Sequence, residues 1–430
     1  MIKEFPHFAA KFERIERTDL AQESKVHSRV GVVGLGSVGT LSVKLALRAG
    51  LEVVGYDRDK NRIEEFKSNT QHDPLLLVSH NSVCLTGTDI ILVAIRLQVS
   101  ESGSINLEPL RKVAEMLNSL PPIQRLVVLQ STVPPGITRQ FANEWLQPSK
   151  KGQFLVAHCP ERLKIGDTVE DLLLVPRLVG GMCQEATDIT CKFLEQIGIQ
   201  PVPVSAPEVS ELSKLLENTF LTVGIGLMGE ITRISHALSL NTNEVAKAAS
   251  TKPNGYFPFY PGPGIGGHCL PNDLQILRKI ASDVNIDAPI LKGVNNSIKL
   301  MTPAVIIYLD MLLKEEGIHI KDARIWIIGI GFKVDSSDLT RSPAIDLVRE
   351  LRQRDALPMY SDSRNLNFEV DNISVERILP ETFPDDVMAV LILAGDRSID
   401  LSTLNERIPI ILDVGGSKIM PGDCPRMRSL

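Results

Sequence analysis

A cysteine at the end of a glycine- and proline-rich segment has the surroundings in this sequence that point most directly to chemistry. The segment from Pro261 to Cys269 reads Pro-Gly-Pro-Gly-Ile-Gly-Gly-His-Cys. Its glycines permit positive φ angles and let backbone amides approach a polyhydroxylated or anionic ligand. A helix is predicted over 274–282, and a cysteine near a helix N-terminus is predicted to have a stabilised thiolate. Most cysteines are small buried residues without a reactive role, but this setting favours a nucleophile.

A thiolate has a specific task when an alcohol is oxidised to an acid with a nicotinamide acceptor. The first oxidation gives an aldehyde, which has no second hydride to give until a nucleophile adds to it. Addition of a thiolate gives a thiohemiacetal, further oxidation gives a thioester, and water then releases the acid. This scheme requires a base, an oxyanion partner and a positioned water molecule.

Five other residues are candidates for these tasks. Glu161 follows a predicted strand and suits a general base or a water-positioning group, although an exposed loop glutamate is an equal alternative. Lys214 and Asn218 lie at i and i+4 on one helix face and can donate to an alkoxide, although a solvated lysine face is more common. Asp273 can orient Lys214 or a water, or cap a helix. His268 is a base or a packed side chain.

A second motif indicates a dinucleotide site. The segment Gly34-Leu-Gly36-Ser-Val-Gly39 follows a predicted strand and begins a predicted helix. Asp57 ends the next strand, where its carboxylate can accept hydrogen bonds from the adenosine ribose and repel a 2′-phosphate. NAD is therefore predicted, with NADP kept open by Arg58. The predicted cofactor-contacting residues are Gly34, Gly36, Ser37, Val38, Gly39, Asp57, Arg58, Ser131 and Thr132.

The loop from Ser131 to Gly136, Ser-Thr-Val-Pro-Pro-Gly, also follows a predicted strand. Ligands bind at the carboxyl edge of parallel sheets, so Thr132 is a candidate to hydrogen-bond the nicotinamide or the substrate. A plain turn is the alternative.

The elements that must position these residues alternate between strand and helix. The predicted class is α/β, with two Rossmann-like doubly wound domains joined by a long-helix central domain. The long helix begins at a predicted Ser205 N-cap with Pro207 in its first turn and runs to about Leu238. The predicted divisions are an N-terminal lead-in (1–28), an NAD-binding domain (29–204), a central helical dimerisation domain (205–315) and a C-terminal nucleotide-sugar domain (316–430).

Composition restricts the function classes further. The 430 residues are 43% hydrophobic with a formal net charge of -6, which argues against a nucleic-acid-binding surface. Six cysteines without a CxxC pair favour a reducing, cytoplasmic location. The first residues lack the apolar core of a signal peptide, and no apolar stretch long enough to span a bilayer is predicted. No metal site is predicted.

Taken together, these motifs resemble the UDP-glucose/GDP-mannose dehydrogenase family over residues 29–345. The matching motifs are Gly34-x-Gly36-x-x-Gly39, Ser131-Thr-Val-Pro-Pro-Gly136, Cys159-Pro-Glu161, Glu211-Leu-Ser-Lys214-x-x-x-Asn218 and Gly264-x-Gly-Gly-His-Cys269, with a weaker match from Gly331-Phe-Lys333 to Ser342-Pro343. The resemblance implies a homodimer that oxidises a sugar C6 alcohol twice to a uronic acid.

The same resemblance implies roles for individual residues. Cys269 is the expected nucleophile, Lys214 and Asn218 stabilise the oxyanion, Glu161 and Thr132 serve the water or base steps, and Asp273 supports them. The residues expected at the substrate are Glu161, Arg162, Leu163, Lys164, Lys214, Asn218, Tyr260, Gly264, Gly266, Gly267, Phe332 and Lys333.

Some segments look like the branch of the family that acts on UDP-N-acetylhexosamines, and others depart from the family. His268 before the cysteine and Arg177-Leu-Val-Gly-Gly181 are similar to that branch. The departures are Val93-Ala-Ile-Arg96-Leu-Gln for Val-Pro-Thr-Pro, Thr340-Arg341 for Arg-Glu, Asn272 in the Pro271-Asn-Asp273 ending, and the segments Ala394-Gly-Asp396 and Asp413-Val-Gly-Gly416. The expected substrate is therefore a UDP-N-acetylhexosamine or an unusual nucleotide sugar.

Two other functions stay open. One is a two-electron hydroxyacid-type dehydrogenase in which Cys269 is structural. The other is a non-catalytic nucleotide-sugar-binding protein, suggested by the altered C-terminal motifs.

Overall fold

Two parallel-stranded sheets, one on each side of a helical middle, form this protein. A computed structural model describes residues 29–70, 72–146, 154–162, 168–333, 336–379, 384–394, 408–415 and 427–430. The predicted lead-in, 1–28, lies outside these ranges. Within them, the predicted class of two Rossmann-like domains joined by a long-helix domain is confirmed.

The first sheet has eight strands in the order β3-β2-β1-β4-β5-β6-β7-β8. Its neighbouring strands are parallel, except that β6 and β7 are antiparallel. Its strands are β1 (Arg29–Val33), β2 (Glu52–Tyr56), β3 (Leu76–Ser79), β4 (Ile90–Val93), β5 (Arg125–Leu129), β6 (Phe154–His158), β7 (Arg177–Gly181) and β8 (Pro201–Pro203). Its helices are α1 (Ser37–Arg48), α2 (Lys60–Ser68), α3 (Glu108–Ser119), α4 (Ile137–Gln140, continued by a π-helical turn Phe141–Trp145), α5 (Val169–Leu173) and α6 (Gln184–Gln196).

Helices cover this sheet on both faces because consecutive strand residues point to opposite sides. Val32 is buried in the core on one face, and Val33 in the core on the other. This arrangement leaves the carboxyl edge of the strands, where β1, β4 and β5 end side by side, as the place for a ligand.

The central helices connect the two sheets. They are α7 (Pro207–Ala237), α8 (Thr242–Ser250), α9 (Cys269–Asp283), α10 (Pro289–Lys299) and α11 (Met301–Glu315). The predicted N-cap at Ser205 is wrong: Ala206 is the N-cap, without a side-chain hydrogen bond. The residue before a proline is driven into extended backbone, and Ala206 therefore marks the boundary next to Pro207.

Glycines inside α7 allow its neighbours to pack closely. A Cβ at Gly224 would lie 2.1 Å from the Phe259 ring, and one at Gly229 would lie 2.8 Å from the Met301 side chain. Glycine inside a helix lowers the stability of that helix. At these two positions it allows α7 to pack closely against the segment before Cys269 and against α11.

The second sheet has six strands, all parallel, in the order β13-β10-β9-β14-β15-β16. They are β9 (Arg324–Ile328), β10 (Leu357–Ser361), β13 (Glu376–Arg377), β14 (Val387–Ile392), β15 (Ile410–Asp413) and β16 (Met427–Ser429), beside a small hairpin of β11 (Glu369–Val370) and β12 (Ile373–Ser374). Helix α12 (Pro343–Arg352) follows β9 only after a long loop. This loop, rather than a tight glycine turn, contacts the segment from Pro261 to Cys269.

One helical stretch, Pro289–Glu315, is long and apolar enough by length and composition to cross a membrane, although none was predicted. It joins α10 and α11, and 44% of its most apolar part is buried inside the protein. Core helices of soluble proteins meet the same criterion, so this is weak evidence for a membrane span.

Candidate active site

The dinucleotide turn between β1 and α1 has the shape that its glycines predict. Gly34 has φ 94°, and a Cβ there would lie 2.6 Å from the Ala94 carbonyl oxygen. A Cβ at Gly39 would lie 1.8 Å from the Gly34 carbonyl oxygen, so this glycine brings the helix against the strand. A Cβ at Gly36 would meet nothing within 4 Å, which leaves open space where a pyrophosphate can approach.

Two further features of this turn fit NAD. The first turn of α1, with Ser37 and Val38, holds no acidic side chain, so its free amides can face phosphate. Asp57 accepts hydrogen bonds from the backbone amides of Leu35 (2.9 Å) and Asp59 (3.0 Å). Each carboxylate oxygen keeps a lone pair for a ribose hydroxyl. Arg58 beside it is exposed.

Hydrogen bonds from two elements hold the Ser131–Gly136 loop in place. The Ser131 hydroxyl accepts from the Ile95 amide (3.1 Å) and donates to the Ile95 carbonyl (2.7 Å), which fixes the loop to the end of β4. Glu211, fully buried on α7, accepts from the amides of Gly136 (2.7 Å) and Thr138 (2.8 Å). Thr132 is half-buried between these anchors. Glu211 belongs to the motif that contains Lys214 and Asn218, but no local sequence pattern indicates that it holds this loop.

Four of the predicted catalytic residues meet where α7 crosses α9. Asn218 donates a hydrogen bond through Nδ2 to Asp273 Oδ2 at 2.5 Å. Lys214, one turn earlier on α7, is buried and has no ion pair in the described part of the chain. Cys269 is the first residue of α9, so Asp273 lies one helical turn after it.

The charges of these groups are coupled. Burial raises the pKa of Asp273 to about 6, while the Asn218 hydrogen bond and the Lys214 ammonium oppose that rise. Asp273 lies inside α9 and is not an N-cap. At neutral pH the Asp273 carboxylate is therefore mostly charged, and the Lys214 ammonium is the positive charge that stabilises it.

The expected stabilised thiolate is wrong for Cys269. Desolvation by the surrounding atoms, followed by the Asp273 charge, raises the pKa of this thiol, although Lys214 and Arg96 partly offset the rise. The residue as a whole is exposed to solvent, but the atoms packed around its sulfur desolvate the thiol. Here desolvation and a nearby carboxylate outweigh the helix N-terminus.

Glu161 is a buried group rather than an exposed loop glutamate. Its Oε2 lies 2.5 Å from Nη2 of Arg177, and both side chains are almost inaccessible to solvent. Its Oε1 accepts from the Arg162 amide at 2.9 Å. Arg177 lies in a segment that resembles the family, but no local sequence pattern predicts its contact with Glu161, because that contact depends on the antiparallel pairing of β6 with β7.

Arg162, a predicted substrate residue, forms its contacts with other residues of the protein. Its guanidinium forms an ion pair with Glu217 of α7 (2.6 Å) and donates to the Pro176 carbonyl (2.7 Å). This geometry fixes the segment after Glu161 against the long helix. The predicted substrate residues Leu163 and Lys164 lie outside the described residues.

The glycine segment before Cys269 is held by the C-terminal domain. Gly264 and Gly267 have φ 149° and 79°, as their predicted freedom requires. A Cβ at Gly266 would lie 2.5 Å from the Phe332 Cβ, and the Gly267 amide donates to the Thr340 carbonyl at 2.8 Å. The segment therefore fits against the loop that follows β9.

The remaining predicted substrate residues surround this segment. Tyr260 is 43% exposed at its start. The Lys333 ammonium lies 5.8 Å from the centre of the Phe332 ring. His268 Nε2 lies 3.1 Å from the Thr340 hydroxyl, and burial lowers the pKa of this imidazole, so it is neutral at pH 7. Among the described residues, no group of three or more His, Cys, Asp or Glu could hold a metal.

Comparison with known proteins identifies the family. The sequence model of the NAD binding domain of the UDP-glucose/GDP-mannose dehydrogenase family matches residues 28–197, and that of the family's central domain matches residues 208–297. The chain belongs to this family. The predicted family, the dehydrogenase activity with NAD on a nucleotide sugar, and NAD as the cofactor are thereby confirmed.

Individual members of the UDP-glucose/GDP-mannose dehydrogenase family are similar over most of the chain. A UDP-N-acetyl-D-mannosamine dehydrogenase from Pyrococcus horikoshii is 28% identical over 345 residues, covering 75% of this chain and 81% of that protein. A UDP-N-acetyl-D-glucosamine 6-dehydrogenase from Pseudomonas aeruginosa is 28% identical over 343 residues, covering 76% and 80%. The solved structure of a UDP-D-ManNAc dehydrogenase from Pyrococcus horikoshii has a TM-score of 0.80 at 24% identity, covering 93% of this chain and 98% of that one, and shows the shared fold.

Proposed function

We propose that this dehydrogenase oxidises the C6 alcohol of a UDP-N-acetylhexosamine, or of an unusual relative of it, to the acid through a thioester at Cys269. The observation that carries the proposal is the meeting of Cys269, Lys214, Asn218 and Asp273 at one crossing of α7 and α9. A two-electron dehydrogenase needs no nucleophile at this point. A four-electron dehydrogenase does.

The residues at the crossing of α7 and α9 have different proposed roles in the oxidation and thiol-addition steps. NAD held at the Gly34–Gly39 turn and Asp57 would supply the hydride acceptor for both oxidations. The Lys214 ammonium and the Asn218 amide are donors for the oxygen that becomes an alkoxide, and Asp273 orients both. The Cys269 thiolate adds to the aldehyde carbon: the C–S bond forms, and the carbonyl electron pair moves to the oxygen.

The last stage is hydrolysis of the thioester. Water adds to the acyl carbon, the C–S bond breaks, and the sulfur takes up a proton. Glu161 is proposed to position this water with Thr132, supported by its place after β6 at the same sheet edge as the Ser131–Gly136 loop. The ion pair with Arg177 fixes the direction of the Glu161 carboxylate, and it supplies the cation that a buried carboxylate requires.

The proposed substrate class is supported by the named relatives and by the residues between the Cys269 segment and the C-terminal domain. The relatives named above act on UDP-N-acetyl-D-mannosamine and UDP-N-acetyl-D-glucosamine. His268, Phe332 and Lys333 line the junction between the catalytic segment and the C-terminal domain, where the sugar nucleotide is proposed to bind. A cytoplasmic location is part of the proposal, since the five described cysteines are all unpaired.

The ratio of NADH to product tests this function. The protein is incubated with a panel of UDP- and GDP-sugars, and NADH and the sugar acid are both counted. Two NADH per acid are expected, because the aldehyde stays bound until it is oxidised again. One NADH per product in a reversible reaction would contradict the proposal and favour the two-electron alternative. Tight binding of a sugar nucleotide without any NADH would favour a binding protein.

A homodimer through α7 is the second part of the proposal. The helix presents a row of exposed apolar side chains at spacings of three, four and seven residues, which places them on one face. The row consists of Val209 (41% exposed), Leu212 (44%), Leu216 (61%), Phe220 (54%), Leu227 (57%) and Ile234 (53%). A contiguous apolar face of this length is typical of a surface that a second subunit covers.

Replacing Leu216 by glutamate is expected to weaken the dimer. A charge at the centre of this row would be buried without a partner, which costs several kcal/mol. Light scattering during size-exclusion chromatography measures the mass, which is expected to fall by half at micromolar concentration. Leu174→Glu is the matched control, because this leucine is 76% exposed but follows α5, away from the row. A monomeric wild-type protein, or a dimeric Leu216→Glu variant, would contradict the interface.

A further inference from the structure

Two neighbouring residues near the start of α7, Ser210 and Glu211, hold the two ends of the Ser131–Gly136 loop. Both residues are completely buried. Glu211 binds the C-terminal end of the loop directly, whereas Ser210 acts on its N-terminal end through His158, the last residue of β6. The loop that contains Thr132 is therefore held between α7 and the first sheet.

The contact at the C-terminal end uses both oxygens of the Glu211 carboxylate. Oε2 accepts a hydrogen bond from the Gly136 amide at 2.7 Å, and Oε1 accepts one from the Thr138 amide at 2.8 Å. The carboxylate has no ion pair within the described part of the chain. Burial raises the pKa of Glu211, and the two hydrogen bonds oppose that rise. A glutamine of the same shape would place its NH2 group against one of the two N–H donors, so the contact is specific for a carboxylate.

A buried histidine makes the contact at the N-terminal end of the loop. His158 Nδ1 lies 2.7 Å from the Ser210 hydroxyl, and Nε2 lies 3.3 Å from the Ser131 carbonyl oxygen. Burial lowers the pKa of this imidazole to about 4, so the ring carries one proton at pH 7. Because a carbonyl oxygen can only accept, that proton lies on Nε2, and Nδ1 accepts from the Ser210 hydroxyl. The hydrogen bonds from α7 to Ser131 are therefore all satisfied by one tautomer.

The same helix carries the two donors of the proposed reaction. Lys214 follows Glu211 by three residues and Asn218 follows Lys214 by four, spacings that place the three side chains on one face of α7. The Asn218 end of this face contacts α9 through Asp273, and the Glu211 end contacts the loop. A shift of the loop along α7 would therefore move Thr132 relative to both donors.

We propose that Glu211 and Ser210 are positioning residues that set the Thr132 hydroxyl relative to Lys214 and Asn218 during turnover. The proposal rests on the proposed function, in which Thr132 helps to position the water that hydrolyses the thioester. Glu211 acts through the backbone amides of the loop, and Ser210 acts through His158. One rigid helix thus holds the loop and the donors together, and a displacement of even about 1 Å in such a site can slow a reaction by about a hundredfold.

A double-mutant cycle between Glu211 and Thr132 tests this role. Steady-state acid formation is measured for Glu211→Gln, for Thr132→Val and for the double variant, with saturating NAD and the best nucleotide sugar of the panel. Glu211→Gln is expected to lower kcat by about tenfold or more and to leave the KM of the sugar within about twofold, because a misplaced loop affects the transition state more than substrate binding. The double variant is expected to have the kcat of Thr132→Val alone, since the loop then has no hydroxyl left to position. A residue that only stabilised the fold would lower kcat by the same factor in both backgrounds.

Glu208→Gln is the matched control, because Glu208 lies one turn earlier on α7 and also contacts α4, through Arg139 at 2.6 Å, but in an exposed ion pair. Its kcat is expected to stay within about twofold of the wild-type value. An unchanged kcat in Glu211→Gln, an equal loss in Glu208→Gln, or losses that multiply in the double variant would overturn the proposal. If Glu211→Gln does not fold, as judged by thermal unfolding, Ser210→Ala repeats the cycle at the other end of the loop. One NADH per product from the wild-type protein would instead contradict the proposed function, whatever the cycle shows.

Discussion

Cys269→Ala is expected to lower acid formation by at least about 10³-fold, the scale on which loss of a nucleophile acts. Without the thiol, the aldehyde has no covalent partner, and the second oxidation has no thiohemiacetal to act on. The measurement is the rate of sugar-acid production with saturating NAD and the best nucleotide sugar from the panel. The residue is exposed, so its loss is expected to change stability by no more than about 0.5 kcal/mol.

Cys183→Ala is the control for this substitution. Cys183 is also exposed and also stands at the start of a helix, α6, but it lies outside the crossing of α7 and α9. Wild-type acid formation is expected from it. If Cys269→Ala also made acid at the wild-type rate, Cys269 would be structural. If the variant released aldehyde with one NADH per turnover, the cysteine would be needed for the second oxidation only, which the thioester scheme allows.

The parts of the site that lie on one element could be predicted from the sequence. The glycines from Gly34 to Gly39 act through their own turn between a strand and a helix, where Gly34 has a positive φ and Gly39 lets the helix approach the strand closely. Lys214 and Asn218 share a helix face because the period of an α-helix is fixed. The alternation of strands and helices likewise predicted the two parallel-stranded domains that the structure contains.

Contacts between elements could not be predicted in this way. The Asn218–Asp273 hydrogen bond depends on the crossing of two helices, and the Glu161–Arg177 pair depends on one antiparallel strand in an otherwise parallel sheet. The Cys269 pKa was predicted in the wrong direction for the same reason. A helix N-terminus is visible in a sequence, but the desolvation and the Asp273 charge that outweigh it come from packing.

Asp273→Asn is expected to stabilise the protein and to inactivate it. The pKa of this buried carboxyl is raised to about 6, above its ordinary value of 3.8. The folded state therefore holds the proton more tightly than the unfolded chain does. Stability from this group is fully present below pH 4 and is lost as the pH rises to about 6. Above pH 6, keeping the buried carboxylate charged costs roughly 2–3 kcal/mol.

An asparagine removes that cost and keeps an oxygen that can accept from Asn218. Urea unfolding without ligands is expected to show Asp273→Asn more stable than wild type by about 1–3 kcal/mol at pH 8 and equal to it at pH 4. The turnover rate is expected to fall by about 10²-fold at both pH 7 and pH 8, because Lys214 loses the anion that orients it. Asp283→Asn, on the same helix but exposed and paired with Lys279, is expected to change stability by no more than about 0.5 kcal/mol.

A variant that is less stable than wild type at pH 8 would show that the charged form of Asp273 stabilises the fold through Lys214 and Asn218 more than burial opposes it. A variant that is more stable but fully active would remove Asp273 from the proposed mechanism. The expected combination, a gain in stability with a loss in turnover, identifies a buried charge that is retained at the α7–α9 crossing for its chemistry. A carboxylate at this position would then lower the stability of the protein relative to an amide, and its presence would be explained by its role in turnover.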